Sequence, residues 1–345
     1  MLFIIRIFKN KYIQIFLIIM LILFIDNCLF ANKVFCNDKI DIVLYSSMKE
    51  TQLKALKNGF TNKYPEINMN YYSAGSGKII EKILNEDKIG DIKADIMWIG
   101  DPTYYYILKE RGILLPYESE EALTIPSELK DKDNYFCAAR IVTLGLIYNT
   151  ESVINNIPNS WNDLLKPCFN NKVIMTNPLI SGTTFYTVAA LIQNKNYGWN
   201  YIYDLKKNEI EIVDSSMAVI DKIAEGEFDI GIGAIYIAKT KKEEGYPIDF
   251  VYPQEGIIAI PSPITIFKSS KNVEAAKKLY DYIISIEGQL ILMKENVIPV
   301  RPEVKLKDSI SIKEAVKRAF PVNIPKLLYN KGVMCIDFIK IMNDN

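Results

Sequence analysis

The sequence predicts an α/β protein with largely parallel sheets. Short apolar or β-branched runs alternate with longer segments of helical period, which is typical of strand–helix–strand units. The chain has 345 residues, a length that is usually enough for about two domains. Two long apolar runs, 138–148 and 257–267, are predicted to cross from one lobe to the other and back.

The first lobe is predicted from three pairs of strand and helix. Strands are predicted over 40–45, 67–72 and 94–99, where β-branched and aromatic residues are concentrated. The helices show apolar residues at helical spacing, as at Leu53 and Leu56, and end at turn residues. Three strands in sequence order, each followed by a helix, predict a parallel sheet here.

The second lobe is predicted to repeat this pattern after the first crossing strand. Its predicted elements are a short helix over 161–165, strands over 172–176, 211–213 and 229–237, and helices that begin at 181 and 215. After the second crossing, which Pro261 and Pro263 interrupt, the remainder of the chain is predicted to be mostly helical.

Composition excludes several classes of function. The 41 basic residues balance 41 acidic ones, so no global positive field is available to hold a nucleic acid. The chain has no histidine, which excludes imidazole metal sites and nucleophiles activated by histidine. Binding of a small molecule, without a cofactor, is therefore the expected function.

Residues 1–31 are predicted to be a secretory signal. Arg6, Lys9 and Lys11 precede an apolar run over 13–25, and a small residue, Ala31, closes the segment. The run is shorter than the roughly 20 residues that a membrane-spanning helix needs. We expect an exported, periplasmic protein. Cys28 and Cys36 follow the apolar run and leave a lipid anchor at the outer face of a membrane open, although Asp26-Asn27 before Cys28 is a poor match to the small-residue acceptor pattern.

The remaining cysteines are too few and too widely spaced for a disulfide scaffold or a zinc module. They are Cys36, Cys137, Cys168 and Cys335. Cys137 lies in an apolar run, where a buried free thiol is as plausible as a disulfide. The sequence leaves their pairing open.

Four turns between a strand and a helix share small hydroxyl or glycine residues. They are Ser46-Ser47, the segment 73–77 with Ser76 and Gly77, the segment Ser181-Gly182-Thr183-Thr184, and Ser215-Ser216. In an open α/β sheet such turns lie at the carboxyl ends of the strands, where ligands bind. Helix N-termini offer free backbone N–H groups and a positive dipole end. Together the turns predict an anion site, and each one alone is also explained as an ordinary helix cap.

Two basic residues are candidate countercharges for such an anion. Lys78 follows the second turn, although a solvated surface lysine is the simpler interpretation. Arg140 lies in an apolar crossing strand, where an unpaired charge is costly. The sequence predicts that Arg140 either pairs with a carboxylate or faces the cleft.

Enzyme motifs are weak. Ser46 and Lys49 match the S-x-x-K pattern of penicillin-recognising enzymes, but neither S-D-N nor K-T-G is present. Gly231 and Gly233 lack the third glycine of a dinucleotide fingerprint. We do not expect an enzyme.

The chain resembles the extracellular solute-binding proteins of ABC importers, in the branch with ferric-ion, 2-aminoethylphosphonate, hexose-phosphate, polyamine and thiamine binders. The segments that carry this resemblance are 44–47, 60–65 (FTNKYP), 94–96, 114–117 (LLPY), 147–150, 158–164 (PNSWNDL), 177–184 (NPLISGTT), 226–233 (GEFDIGIG), 274–277 (EAAK) and 298–302 (IPVRP). Their order and spacing are specific for the family and less specific for the ligand.

The resemblance implies the type II periplasmic-binding-protein fold, with two lobes, two crossing hinge strands and a ligand cleft between the lobes. Lobe one would hold 39–139 and 262–345, and lobe two 140–261. The resemblance also implies a monomer that captures a small solute by hinge closure. Its partners would be a membrane permease and the ATPase of that permease, with no role for nucleic acid.

The resemblance suggests three classes of ligand. The segment 181–184 resembles that of phosphate and phosphonate binders, which implies that the hydroxyl turns hold the anion and that Tyr236 closes over it. Ferric-ion members use an adjacent tyrosine pair, whereas Tyr236 has no tyrosine beside it. A ferric ion held by Tyr236 is the first alternative, and a cationic solute such as thiamine or a polyamine, held by Asp101 among others, is the second.

Overall fold

The computed structural model describes residues 39–344. The predicted signal segment, Cys28 and Cys36 lie outside the described residues. Within 39–344, no helix combines the length and the apolar character needed to span a bilayer.

Strands and helices alternate along most of the chain. The strands are β1 (Ile40–Ser46), β2 (Ile67–Ser73), β3 (Ile96–Trp98), β4 (Leu114–Leu115), β5 (Cys137–Asn149), β6 (Val173–Thr176), β7 (Glu211–Val213), β8 (Ile230–Ala234), β9 (Ile248–Val251) and β10 (Ile258–Phe267). The α-helices are α1 (Glu50–Lys63), α2 (Ser76–Lys88), α3 (Thr103–Glu110), α4 (Gly182–Gln193), α5 (Gly198–Lys207), α6 (Ser216–Ala224), α7 (Ile235–Glu243), α8 (Val273–Ile284), α9 (Ile286–Lys294), α10 (Ile312–Arg318) and α11 (Ile324–Asn343). Short 3-10 helices occupy Glu120–Thr124, Ser127–Leu129, Trp161–Leu165 and Pro167–Phe169.

The strands form one sheet in the order β2-β1-β3-β10-β5-β8-β6-β7, with β4 paired to β10 and β9 paired to β5. The triplets β2-β1-β3 and β8-β6-β7 are parallel. The pairings that involve β5 or β10 are antiparallel. The prediction of largely parallel sheets therefore holds for each triplet and is wrong for the centre, because the two crossing strands run against the triplets that they join.

The positions of the two crossing strands in the sheet account for their apolar and proline residues. All thirteen residues of β5 are buried, and a strand covered on both faces shows a continuous apolar run instead of an alternating one. In β10 the pairing with β5 shifts register between Ser262 and Pro263. Such a bulge accommodates the prolines, which cannot donate to the ladder.

Each half of the molecule has its own apolar core. Side chains of β1, α1, α8 and α9 pack together in the first half, and side chains of β5, β6, β8 and α4 to α7 pack in the second. Leu327, Met334 and Phe338 of α11 join the second core. The resemblance places 262–345 in lobe one, but these three side chains pack in the core of the other half, whereas Val333 and Ile336 of the same helix are exposed.

The interpretation of Cys137 as a buried free thiol is confirmed. Cys137, Cys168 and Cys335 are unpaired in the part of the chain that the structure describes. Burial raises the pKa of the Cys137 thiol to about 12, so this side chain behaves as a small apolar residue.

Candidate functional site

The four predicted hydroxyl turns meet at one cavity of about 320 Å³. A first wall consists of residues that follow β1, β2 and β3, namely Ser47, Gly75, Ser76 and Gly100. A second wall consists of residues at the carboxyl ends of β6, β7 and β8, namely Thr176, 180–183, 214–216, Ala234, Tyr236 and Ile237. Arg140 and Val142 of β5 also line the cavity. The volume is at the lower end of the range for small-molecule sites.

The hydroxyl groups of the first wall are bonded to one another. The Ser47 Oγ accepts hydrogen bonds from the Ser76 hydroxyl at 3.2 Å and from the Gly100 backbone N–H at 2.8 Å. Because a hydroxyl carries one proton of its own, Ser47 can still donate to a ligand. Helix α2 has Gly75 as its N-cap and no capping side chain, which leaves its first backbone N–H groups available.

In the second wall, Ser181 caps helix α4. Its Oγ accepts from the backbone N–H of Thr184 at 3.3 Å and from the Thr184 hydroxyl at 3.0 Å, and lies 3.1 Å from the Thr183 Oγ1. The backbone N–H groups of Gly182 and Thr183 precede the first hydrogen bond within the helix. These two N–H groups can therefore donate hydrogen bonds to an acceptor in the cavity.

Ser215 caps helix α6 in the same way. Its Oγ accepts from the backbone N–H groups of Met217 and Ala218. The next residue, Ser216, accepts a hydrogen bond from the Thr176 hydroxyl at 3.2 Å. The end of β6 and the start of α6 are thus joined at the cavity.

Tyr236 lies in the first turn of a helix and not in a strand. The sequence analysis extends the strand to residue 237, but β8 ends at Ala234 and α7 begins at Ile235. Ile235 and Ile237 are buried in the core, and a short apolar run does not distinguish a strand from a buried helix. The correction adds the N-terminus of α7 to the cavity.

Ser46 and Ser47 do not cap helix α1. The helix starts at Glu50, its N-cap is Lys49, and that position makes no capping hydrogen bond through its side chain. Ser46 is fully buried, and its hydroxyl donates to the Trp98 carbonyl at 2.8 Å. Ser46 therefore joins β1 to β3, and Ser47 alone reaches the cavity.

Arg140 lines the cavity, and one of its donors, the buried Nε, has no partner in the described chain. Its side chain is 4% exposed, and its Nη1 donates to the Gln52 Oε1 at 3.0 Å. Its Nε has no hydrogen-bond partner, and no carboxylate lies within 4 Å of the guanidinium among residues 39–344. Of the two predicted possibilities, ion pair or cleft, the structure shows the cleft. Burial lowers the pKa of Arg140, yet a guanidinium stays charged in proteins.

Lys49 is a second cation beside the Tyr236 ring, although it does not line the cavity. Its Nζ lies 5.0 Å from the centroid of the Tyr236 ring, and the Arg140 Cζ lies 5.6 Å from the same centroid. Burial lowers the pKa of Lys49, with an opposing effect from Glu295 and a further lowering by Arg140. We call Lys49, Arg140 and Tyr236 the basic cluster. The sequence analysis considers Lys49 only as part of an enzyme motif.

Besides Ser46, three predicted site residues lie away from the cavity surface. Gly77 is exposed in the first turn of α2, and Lys78 beside it is exposed on a different face with Tyr72 and Glu81. Thr184 is 3% exposed and donates its hydroxyl to Ser181. Lys78 thus has the solvated position that the simpler interpretation predicts, and Thr184 supports the site from behind.

Asp101 joins the first wall to the last helix. Its Oδ1 accepts from the Thr103 backbone N–H at 2.9 Å, and its Oδ2 accepts from the Lys331 Nζ at 2.9 Å. A Cβ added at Gly182 would lie 3.1 Å from the Asp101 Cβ. The Asp101 carboxylate is therefore occupied by structural hydrogen bonds. The residue also brings the two walls into contact beside the cavity.

Several residues of the cavity were missed by the sequence analysis. They are Gly100, Val142, Thr176, Ile180, Asp214, Ala234 and Ile237. All but Val142 lie in or next to a turn at the end of a parallel strand, which was the available signal. Among the described residues, no group of three His, Cys, Asp or Glu side chains is arranged to hold a metal ion.

Comparison with known proteins identifies the family of this chain. Residues 91–319 match the family model described as bacterial extracellular solute-binding protein. A similar sequence is an uncharacterized protein of Haemophilus influenzae, 26% identical over 272 residues that cover 75% of this chain and 77% of the relative. Another is a putative 2-aminoethylphosphonate-binding periplasmic protein of Salmonella typhimurium, 24% identical over 70% of this chain and 72% of the relative.

Solved structures confirm the fold class. The periplasmic binding protein AfuA of Actinobacillus pleuropneumoniae, with fructose-6-phosphate bound, has a TM-score of 0.77 and 23% identity, and the match covers 89% of this chain and 100% of AfuA. Iron-bound HitA of Pseudomonas aeruginosa has a TM-score of 0.76 and 19% identity over 88% of this chain and 99% of HitA. Both share the two-lobed periplasmic-binding-protein architecture, and at this identity they establish the fold alone.

Proposed function

Because this chain belongs to the bacterial extracellular solute-binding proteins, we propose that it captures a small phosphate- or phosphonate-bearing solute in the periplasm. It is the substrate-binding component of an ABC importer and not an enzyme. In this proposal the solute contacts both walls of the cavity, so that its binding stabilises the closed arrangement that a permease recognises.

Arg140 is the observation that supports an anionic solute. A guanidinium that is 4% exposed, lines the cavity and keeps an unpaired Nε has a high cost of desolvation. An anion in the cavity would compensate for that cost through its opposite charge. A cation in the cavity would instead repel the Arg140 charge and increase that cost.

The helix ends supply the neutral donors for the anion. We propose that Ser47, Ser181, Thr183 and Ser215 donate through their hydroxyls, together with the backbone N–H of Gly182, and that Ser76 orients the Ser47 hydroxyl by donating to it. Helices α2, α4, α6 and α7 begin at the cavity, and N-termini of helices favour negative charge. Phosphate and phosphonate groups have three oxygen acceptors, which suits donors that arrive from two walls.

A thermal-shift panel tests this proposal. The mature chain from about residue 32, unfolded and refolded to remove any carried ligand, is heated with phosphate, sugar phosphates, aminoalkylphosphonates, ferric citrate, thiamine or polyamines. A solute at 100 times its Kd adds about 2.7 kcal/mol to the free energy of unfolding. We expect a shift with a phosphorylated or phosphonate compound that is lost in a Ser181→Ala, Thr183→Ala double variant. An unchanged shift in that variant would contradict the assigned donors.

Ferric ion is a second candidate, and Tyr236 is the observation in its favour because its side chain lines the cavity. Lys49 and Arg140, which both lie near the Tyr236 ring, disfavour a trivalent cation at that position. Visible absorbance of the purified protein that disappears in Tyr236→Phe would establish the ferric alternative and overturn the phosphate proposal.

A cationic solute such as thiamine or a polyamine has less support. Asp101, the carboxylate considered for it, is paired with Lys331, and Asp214 of the second wall is exposed. The same panel contains these solutes, so a shift with them alone would favour this third class.

A further inference from the structure

A fully buried glutamine of helix α1, Gln52, is bonded to the arginine of the cavity. It lies on the buried face of that helix, beside Leu53 and Leu56, and is the polar residue of that face. Its Oε1 accepts from the Arg140 Nη1 at 3.0 Å. Within 39–344 this is the one hydrogen bond that the Gln52 side chain makes. The amide therefore contacts Arg140 and satisfies no backbone group.

A second buried glutamine, Gln289 of α9, shows how an amide with a structural role is bonded. Its Nε2 donates to the carbonyls of Ala139 and Ile283, both at 2.8 Å, and its Oε1 accepts from the Val300 backbone N–H at 2.9 Å. The Gln52 Nε2, by contrast, is buried with no partner in the described chain. Because an unpaired buried donor lowers the free energy of unfolding, stability alone does not explain a glutamine at position 52.

The contacts of Gln52 and its neighbours hold Arg140 without neutralising it. The Arg140 Cζ lies 5.9 Å from the centroid of the Trp98 ring and 5.6 Å from that of the Tyr236 ring. The Trp98 Nε1 is fixed by donating to the Ser262 carbonyl at 3.2 Å. None of these contacts is a carboxylate, and none lies within 4 Å of the guanidinium in the described part of the chain. A carboxylate at position 52 would pair with Arg140 and oppose its field in the cavity.

We propose that Gln52 is a positioning residue whose neutral amide keeps the cavity selective for anions. This inference rests on the proposed function and deepens it. Arg140 supplies the charge that attracts the solute, and Gln52 orients the guanidinium while leaving that charge uncompensated. Gln52 does not line the cavity, so it acts on the solute through Arg140.

The Gln52→Glu variant tests this proposal, because it keeps the shape of the side chain and the acceptor for Nη1 and adds one negative charge. Calorimetric titration measures affinity for inorganic phosphate, fructose 6-phosphate and 2-aminoethylphosphonate, and a melting curve measures stability without solute. For each probe that the natural chain binds, we expect affinity to fall about tenfold or more. The melting temperature should stay the same or rise, because Arg140 gains an ion pair. A residue with only a structural role would not move the two quantities in opposite directions.

The Gln52→Met variant separates orientation from charge. It removes the acceptor for Nη1 without adding a charge, and we expect affinity to fall about fivefold. In an Arg140→Gln background the same change should have no further effect on affinity, because residues that act through one another are not additive.

Gln193→Glu is the matched control for the change from amide to carboxylate. Gln193 lies at the end of α4, where its Oε1 accepts from the Asn323 backbone N–H at 2.9 Å, and it does not line the cavity. The variant keeps that acceptor and should leave affinity for all three probes unchanged.

Failure of this inference differs from failure of the proposed function. If the natural chain binds none of the three probes, the proposed function fails. If it binds one of them and Gln52→Glu retains that affinity, the proposed function stands and the role of Gln52 is wrong. A lower melting temperature in Gln52→Glu, or an equal loss of affinity for Gln52→Met in both backgrounds, would also overturn the role of Gln52.

Discussion

The two walls of the cavity use the same kinds of residue in different ways. In the first wall, the Ser47 Oγ accepts hydrogen bonds from the Ser76 hydroxyl and from the Gly100 backbone N–H. In the second wall, Ser181 and Ser215 cap helices α4 and α6. A serine near the start of a helix can therefore either bond to a neighbouring hydroxyl or cap the helix. In the second wall, the serine that stabilises a helix is also proposed to bind the solute.

Replacement of Arg140, which belongs to neither wall, is expected to have the largest effect on affinity for the solute. Arg140→Gln removes the buried countercharge, so affinity for the anionic solute should fall about 100-fold, which corresponds to about 2.7 kcal/mol. Thermal stability without solute should stay the same or rise, because an uncompensated buried charge is removed. Calorimetric titration and a melting curve measure the two quantities.

Arg301→Gln is the control for this prediction. Arg301 is also buried, but it pairs with Glu121 far from the cavity lining. Its replacement should lower the melting temperature and leave affinity unchanged. An Arg140→Gln variant with affinity within threefold of the natural chain would remove Arg140 from the site.

Replacement of Gly182, where the two walls come into contact, should have the next largest effect on affinity. In Gly182→Ala the new Cβ would lie 3.1 Å from the Asp101 Cβ, which is tighter than ordinary contact and presses the walls apart. We expect affinity to fall about tenfold, or about 1.4 kcal/mol. Gly77→Ala is the control, since nothing lies within 4 Å of a Cβ there. Equal affinities in both variants would mean that the walls need not approach at Gly182.

The serines of the two walls should separate stability from binding. Ser181→Ala removes a helix cap, which costs about 1 kcal/mol and lowers the melting temperature by about 2–4 °C. Ser76→Ala removes no cap and should leave the melting temperature within about 1 °C of the natural value by the same scale. Both should weaken binding severalfold in a titration. Equal melting temperatures for the two variants would contradict the difference between the walls.

Replacement of Lys78 should have the smallest effect on affinity and on melting temperature. It is exposed on α2 and faces away from the cavity, so Lys78→Met should leave both affinity and melting temperature unchanged. A measurable loss of affinity would mean that α2 presents a different face to the solute from the one described.

Much of the fold follows from local patterns. The elements Trp161–Leu165 and Glu211–Val213 lie where the sequence predicts them, and β5 and β10 occupy the two long apolar runs. Helix α5 and strand β9 were not predicted. Strand β9 has only four residues and is defined by its antiparallel pairing with β5, a contact that a local pattern does not contain.

The candidate site was predicted in kind and only partly in detail. Ser47, Ser76, Ser181, Thr183, Ser215 and Tyr236 do line the cavity. Ser46 was predicted with Ser47, but adjacent residues of an extended chain point in opposite directions, and Ser46 is buried against β3. Lys49 was missed because its partner, Tyr236, is distant in sequence and is brought to it by the fold.

By itself the sequence determined the strand and helix periods, the hydroxyl turns at strand ends and the presence of an arginine in an apolar strand, because these depend on neighbouring residues. Tertiary structure alone decided which turns meet, that Arg140 lacks a carboxylate within reach in the described chain, and that Lys49 and Arg140 both lie near the Tyr236 ring. The physical reason is that electrostatic and packing energies depend on distance in space. Strand order in the sheet, and not order in the chain, sets that distance.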